Sequence, residues 1–317
     1  MKLAMRPRRA LCAAALLIPA AAAALDPVAV APGVYAFVGA GGAPAADNRG
    51  RVANSGFVIG TTGVVVIDTG ISLRFGREML AAIRRLTGRP VKLVILTNAN
   101  QEFVFGAGAF KGAEVAAHSE TVRLMRARCQ HCLELLMPAL GEELRGTRLV
   151  VPARSIESST RLTAAGVNLE LLHFGWAATP GDLVVFLPDS GVAFGGAVVI
   201  AASVPRIRDC DFAGWRAALA RLRTLNVRRL VPGFGPIGDR SAIEATDEYL
   251  ASLDVRVRAL YRETSSLVDA LERSDLHAYR HWAGYEARHR QNVQHRYLQL
   301  EIEDLGGDPR STAMPES

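Results

Sequence analysis

Leu96-Thr97-Asn98-Ala99-Asn100-Gln101-Glu102-Phe103-Val104-Phe105-Gly106 is the stretch on which the fold turns. It leaves an apolar run, Val91 to Leu96, that reads as a buried strand, and it opens toward a helix. Upstream, Gly56 to Gly60 and Val64 to Asp68 read as two strands joined by Thr61-Thr62-Gly63, the second apolar on both faces. Between them and the quoted stretch, Leu73 to Leu86 has helical spacing. Phe75, Met79, Leu80, Ile83 and Leu86 fall on one side, and Arg74, Arg77, Arg84 and Arg85 mostly on the other. Strand, helix, strand at short spacing predicts layered α/β architecture.

Farther out, Pro32 to Val38 is a short strand entering a Gly/Ala/Pro-rich loop over 39–50, Glu114 to Ala117 a strand, and Ser119 to Met137 a helix ending near Pro138. Arg148 to Val151, Val167 to His173, Leu183 to Leu187 and Val192 to Phe194 follow as strands. Phe212 to Leu225 is an amphipathic helix leading to Leu230 and Val231, and no solenoid-type repeat is present. These patterns divide the chain into a signal segment 1–24, an α/β domain 25–240, a charged helical extension 241–305 and a polar, frayed tail 306–317.

Composition excludes several classes. The 317 residues are 50% hydrophobic with four Cys, too apolar for a disordered chain and too cysteine-poor for a disulfide scaffold. The charge of +6 is misleading, because residues 1–24 read as an export signal: a basic start, an Ala/Leu run, and small residues at Ala22 and Ala24. Removing Lys2, Arg6, Arg8 and Arg9, and no acids, from 37 Lys+Arg leaves 33 against 31 Asp+Glu. That near-neutral balance argues against nucleic-acid binding, and the one long apolar run, broken by Pro19, argues against a membrane span. The expectation is a periplasmic or secreted protein, exported by the ordinary route rather than by the Arg8-Arg9 pair, with no lipid on Cys12.

The quoted stretch resembles the signature loop of the metallo-beta-lactamase superfamily, Thr-His-x-His-x-Asp-His-x-x-Gly. Four more landmarks stand in order: Val66-Ile67-Asp68-Thr69-Gly70, Thr179-Pro180-Gly181-Asp182, Phe194-Gly195-Gly196-Ala197 and Val231-Pro232-Gly233-Phe234-Gly235-Pro236. Within the superfamily the chain most resembles the quinoprotein relay system zinc metallohydrolases, exported proteins associated with pyrroloquinoline-quinone dehydrogenases. Ala31-Pro32-Gly33-Val34-Tyr35, Val204-Pro205 leading to Gly214-Trp215, and Arg290-Gln291-Asn292-Val293 with Leu298-Gln299-Leu300-Glu301 carry that likeness. The resemblance implies the metallo-beta-lactamase fold, a four-layer αββα sandwich, here with a C-terminal helical extension.

It also implies two zinc ions held by imidazole and carboxylate, which polarise a substrate and acidify water. Carried over position by position, the first two histidines become Asn98 and Asn100, the aspartate Glu102 and the third histidine Phe103. The later ligands become Ala178, Ala197 and Phe234. Only Glu102 remains anionic, so the expectation is a cleft without zinc or other cofactor and without a catalytic residue. The turn framework persists at Asp68, Gly106 and Asp182, which predicts a folded pseudoenzyme that binds a periplasmic quinoprotein dehydrogenase or a small anionic ligand.

Other candidates have local readings. Arg206 and Arg208 could grip an anion such as a carboxylate-rich quinone, or pair with Asp209 and Asp211. Cys129 and Cys132 could form a disulfide, stay free, or act as a redox pair. Asp68, Glu102 and Asp182 could hold a hard cation in a rebuilt hydrolase, and His277 with His281 have the i, i+4 spacing of helical ligands.

Overall fold

Alternation within short apolar strands sets the layering. The computed structural model describes residues 25–263 and 266–310. A seven-stranded sheet runs in chain order through β1 (Val28–Ala31), β2 (Val34–Phe37), β3 (Ser55–Ile59), β4 (Val64–Ile67), β5 (Val91–Ile95), β6 (Glu114–His118) and β7 (Arg154–Ile156). It is antiparallel as far as β4 and parallel from β4 to β7. In β4, Val65 and Ile67 face the second sheet, while Val64 and Val66 face helix α1 (Leu73–Leu86).

The second sheet holds β8 (Thr160–Ala164), β9 (Val167–Leu172), β10 (Val184–Leu187), β11 (Val192–Phe194) and β12 (Arg229–Val231), ordered β12-β11-β10-β9-β8. Leu169, Leu171, Val185 and Val192 meet the first sheet in the inner core. Beyond the first sheet lie short α2 (Gln101–Val104) and a kinked helical segment made of α3 (Ser119–Leu124), a π-helical turn (Met125–Cys129) and α4 (Gln130–Leu140). Beyond the second lie α5 (Phe212–Leu222) and α6 (Ser241–Arg262). Trp215 and Leu219 of α5 pack against that sheet's outer side, giving four layers, helix, sheet, sheet, helix.

Helix α1 starts at Ser72, whose hydroxyl accepts the Phe75 amide at 3.0 Å, and buries Phe75, Met79 and Ile83. The extension is helical over α6, α7 (Leu267–Arg273) and α8 (Tyr285–Asp304). Buried Arg296 fastens it: it bonds Asp254 at 2.7 Å and Glu303 at 2.9 Å, and lies over the Phe212 ring at 4.7 Å.

Several expectations need correction. Arg148 to Val151 forms no strand; its apolar side chains pack on the core, and Arg154–Ile156 takes the sheet edge instead. The helix from Ser119 contains a π turn and runs through Pro138 to Leu140. His277 lies in a 3-10 turn and His281 after it, so their spacing has no helix to align it. Arg310, at the end of the described residues, lies 3.9 Å from Asp211 and over the Trp176 ring, while 306–308 are exposed. The rest of the expected tail and the signal segment 1–24, including Cys12, lie outside the described residues.

Candidate functional site

Strand ends build the site. Asp68 follows β4, Thr97 and Asn98 follow β5, Ala197 follows β11, Phe234 follows β12, and Ala178 and Asp182 lie between β9 and β10. Parallel neighbours end on the same edge, so residues far apart in sequence converge there.

The frame is tied by two buried carboxyl groups. Asp68, at φ +58°, accepts the Thr97 amide at 2.8 Å and the Thr97 hydroxyl at 2.9 Å. Asp182 closes a turn by accepting the Thr179 amide at 2.6 Å and hydroxyl at 2.7 Å. Burial pushes each carboxyl up to about 7, against the pull of those hydrogen bonds. Each therefore binds a proton on folding between its ordinary value near 3.8 and about 7. Their contribution to stability is complete below about pH 4 and lost as pH rises through 7. Asp182→Asn, which cannot ionise, should gain stability relative to the parent between pH 5 and pH 8, on the order of 1–3 kcal/mol. Urea unfolding at both pH values checks this; a constant difference would contradict it.

The positions expected to hold metal are otherwise committed. Buried Asn98 donates to Thr97 Oγ1 at 2.8 Å and accepts the Asn100 amide at 2.9 Å, so both ends of its amide serve the loop. Glu102 Oε1 accepts Arg206 Nη2 at 3.0 Å, while its buried Oε2 has no hydrogen-bond partner among the described residues. Phe103 and Phe234 meet edge to face, with ring centroids 5.6 Å apart at 86°. Ala178 and Ala197 complete the wall with methyl groups, and the space left is about 30 Å³, room for little more than a water.

Arg206 is charged more firmly than an ordinary guanidinium because Glu102 lies against it. Arg206→Gln should cost about 2 kcal/mol, below the range for fully enclosed pairs because the arginine is a third exposed. Much of that loss should return in the Glu102→Gln/Arg206→Gln double variant. Additive losses in chemical denaturation would show that the two groups do not interact.

The sequence model of the metallo-beta-lactamase superfamily matches residues 48–233. The chain belongs to that superfamily. It is similar to a linear primary-alkylsulfatase of Pseudomonas sp., 25% identical over 219 residues, covering 57% of this chain and 41% of that protein. It is also similar to a type 2 metallo-beta-lactamase of Bacillus sp., 24% identical over 209 residues, covering 64% and 75%. Among solved structures, a metallo-beta-lactamase from Pontibacter korlensis aligns with a TM-score of 0.59 at 24% identity, over 72% of this chain and 99% of that one. The mono-zinc form of a Pseudomonas aeruginosa metallo-beta-lactamase gives 0.57 at 19%, over 71% and 94%. These likenesses show the metallo-beta-lactamase fold.

The residues of this superfamily member do not fit the zinc its fold implies. Two rings and two methyls stand at four ligand positions, Asn98 is spent on the loop, and Glu102 is paired to a cation. Among the described residues no three His, Cys, Asp or Glu side chains are grouped to hold a metal. Asp68 and Asp182 are engaged by threonines, so the hard-cation alternative does not assemble either.

Remaining candidates are placed as follows. Cys129 and Cys132 are unbonded, so the disulfide reading is corrected. Burial pushes the Cys129 thiol up to about 12 and raises that of Cys132, away from the reactive thiolate. Arg208 pairs with Asp209 at 3.1 Å, whereas Arg206 takes Glu102 instead of the neighbouring aspartates. Asp211 caps α5 through the Gly214 amide at 2.9 Å. His173 and His118 stack at 3.8 Å, and His173 Nδ1 is 3.0 Å from the Asp182 carbonyl, a strand-end role.

Sequence reasoning missed Arg288, which reaches the cleft from α8. Burial and then the charge of Arg206 lower its affinity for its proton. Only the 84-residue separation from its hydrogen-bond acceptor, the Val204 carbonyl at 3.3 Å, marks the contact, and no local pattern encodes it.

Proposed function

We propose that this protein is an exported, zinc-free pseudoenzyme of the metallo-beta-lactamase fold, whose cleft binds a ligand or partner in a quinoprotein dehydrogenase system. The observation that carries the reading is the Phe103–Phe234 ring pair beside an already paired Glu102, which puts apolar surface where imidazoles would stand. The quinoprotein association rests on the sequence likeness at residues 31–35, 204–215 and 290–301. Purified protein should hydrolyse no lactam, lactone, thioester or alkyl sulfate above the buffer rate, and it should co-elute with a quinoprotein dehydrogenase from periplasmic extract. Turnover in the parent would overturn the pseudoenzyme reading.

One observation favours a second reading, a hydrolase with a rebuilt site. Glu102 Oε2 is buried next to the cleft without a hydrogen-bond partner among the described residues, and an orphaned carboxylate oxygen is costly unless something uses it. The names of the relatives, an alkylsulfatase and beta-lactamases, point the same way. That reading requires turnover that Glu102→Ala abolishes in a folded variant.

A further inference from the structure

Two thiols line one cavity. A space of about 410 Å³ opens beside the narrow floor of the cleft, between the kinked helix and α8. Its helix wall includes Leu124, Cys129, Cys132 and Leu135, and α8 contributes His295. Steps of three or four residues along an α-helix would not carry that wall from Leu124 to Cys129. The π turn Met125–Cys129, which closes on the fifth residue instead of the fourth, does so, and Cys132 and Leu135 follow at three-residue steps. The wider turn therefore places both cysteines on the cavity wall.

Their spacing favours a bridging ion over a bond. Cys129 and Gln130 have ordinary helical angles, φ −68° and −62° with ψ −26° and −48°. Side chains three apart on such a helix have Cβ atoms about 5–6 Å apart, beyond the roughly 3.5–4.5 Å of a disulfide. The two cysteines are accordingly unbonded. With metal–thiolate bonds of about 2.3 Å, a linear ion sets its sulfurs roughly 4.6 Å apart, a separation that neighbouring turns span. The Cys129 thiol donates only weakly, to the Ala99 carbonyl at 3.4 Å, so little is lost when its proton leaves.

Softness and ligand number select the ion. Thiolates favour cuprous ion, zinc and iron–sulfur clusters. Zinc and the clusters need four ligands. Among the described residues no third His, Cys, Asp or Glu joins the pair, His295 and Asp209 of the same cavity included. A closed-shell monovalent ion is satisfied by two sulfurs. We propose that Cys129 and Cys132 bind one cuprous ion as a linear bis-thiolate on the wall of this cavity. Binding replaces two S–H bonds by two Cu–S bonds, releases both protons to solvent and transfers no electron. The product carries a single negative charge. Burial keeps both thiols protonated without the metal, so affinity falls as pH is lowered. The site is separate from the former zinc positions and goes beyond the reading of the cleft.

Anaerobic titration of the full mature chain with Cu(I), against a chromophoric Cu(I) chelator, tests it, with zinc as the competing ion. One Cu(I) per chain is expected, with two sulfur neighbours and no nitrogen by X-ray absorption, and excess zinc should leave it in place. Cys132→Ser, at a half-buried position, should weaken binding by at least about a hundredfold, as should Cys129→Ser. Cys210→Ala, whose sulfur lies in another cavity, should not change it. If the buried Cys129 variant fails to fold, the Cys132 variant decides. A Cys132→Ser affinity equal to the parent's, a histidine nitrogen in the shell, displacement by zinc, or a Cys129–Cys132 disulfide in protein purified without reductant would overturn the proposal. Zinc uptake that Glu102→Ala abolishes would remove the zinc-free reading and leave the copper site standing. Zinc-free protein that also refuses Cu(I) would remove this inference alone.

Discussion

Gly235→Ala is expected to unfold the protein or to cost it about 5 kcal/mol or more, the extreme end for a single substitution. Gly235 sits at φ +93°, and a Cβ there would lie 1.8 Å from the Ala201 carbonyl oxygen. The obstacle is backbone, and that backbone is pinned. The Ala201 amide donates to the Phe234 carbonyl at 2.9 Å, and Asn54 Nδ2 donates to the Gly235 carbonyl at 2.8 Å. Relief would require separating the turn after β12 from the segment after β11, which together carry Phe234 and Ala197. Gly238→Ala is the control, since a Cβ there meets nothing within 4 Å and φ is not positive. It should change stability by less than about 1 kcal/mol. Equal melting temperatures for the two variants would show that the turn is not rigid.

Phe103→Ala should cost about 4 kcal/mol, the usual range for emptying a buried phenylalanine site. The ring is fully buried, packs edge to face on Phe234, and lies within 3.2 Å of where a Gly233 Cβ would be. Nothing polar replaces it, because the Phe103 backbone is already used. Its carbonyl accepts the Thr69 amide at 2.7 Å and hydroxyl at 3.0 Å. Phe103→His, which returns the family's residue, should also destabilise, by roughly 2–3 kcal/mol, because it buries a ring nitrogen with no partner. It should gain no metal, since Ala178, Ala197 and Phe234 still offer no donor. A loss below 1 kcal/mol for Phe103→Ala in urea unfolding would mean the ring is not part of the core.

Much of the fold was legible because its signals are local. The apolar run Val64–Ile67, the helical stripe of Leu73–Leu86 and the Gly-rich landmarks each report on their own few residues. Strand β7 was missed because Leu149, Val150 and Val151 have stronger strand character than the Arg154–Ile156 segment that pairs with β6. Packing overrode propensity there. Strand β8 is half exposed and polar, and its hairpin turns at Ala165 and Gly166, both at positive φ, without the usual Asn-Gly signal.

At the site, the substituted ligand positions could be read because a family pattern fixes their offsets. The Glu102–Arg206 pair spans 104 residues, and the π turn at Met125–Cys129 shifts its side chains without any change in hydrophobic period. Arg288 and His295 enter from a helix outside the matched span. Such contacts depend on how distant elements dock, which no window of sequence encodes.

Zinc uptake by the full mature chain tests the central claim most directly. Native mass spectrometry and a melting curve, each with and without added zinc, should find fewer than about one chain in ten carrying zinc, with no rise in melting temperature. One or two zinc ions per chain, with a melting temperature raised by the metal and the rise lost in Glu102→Ala, would contradict the account.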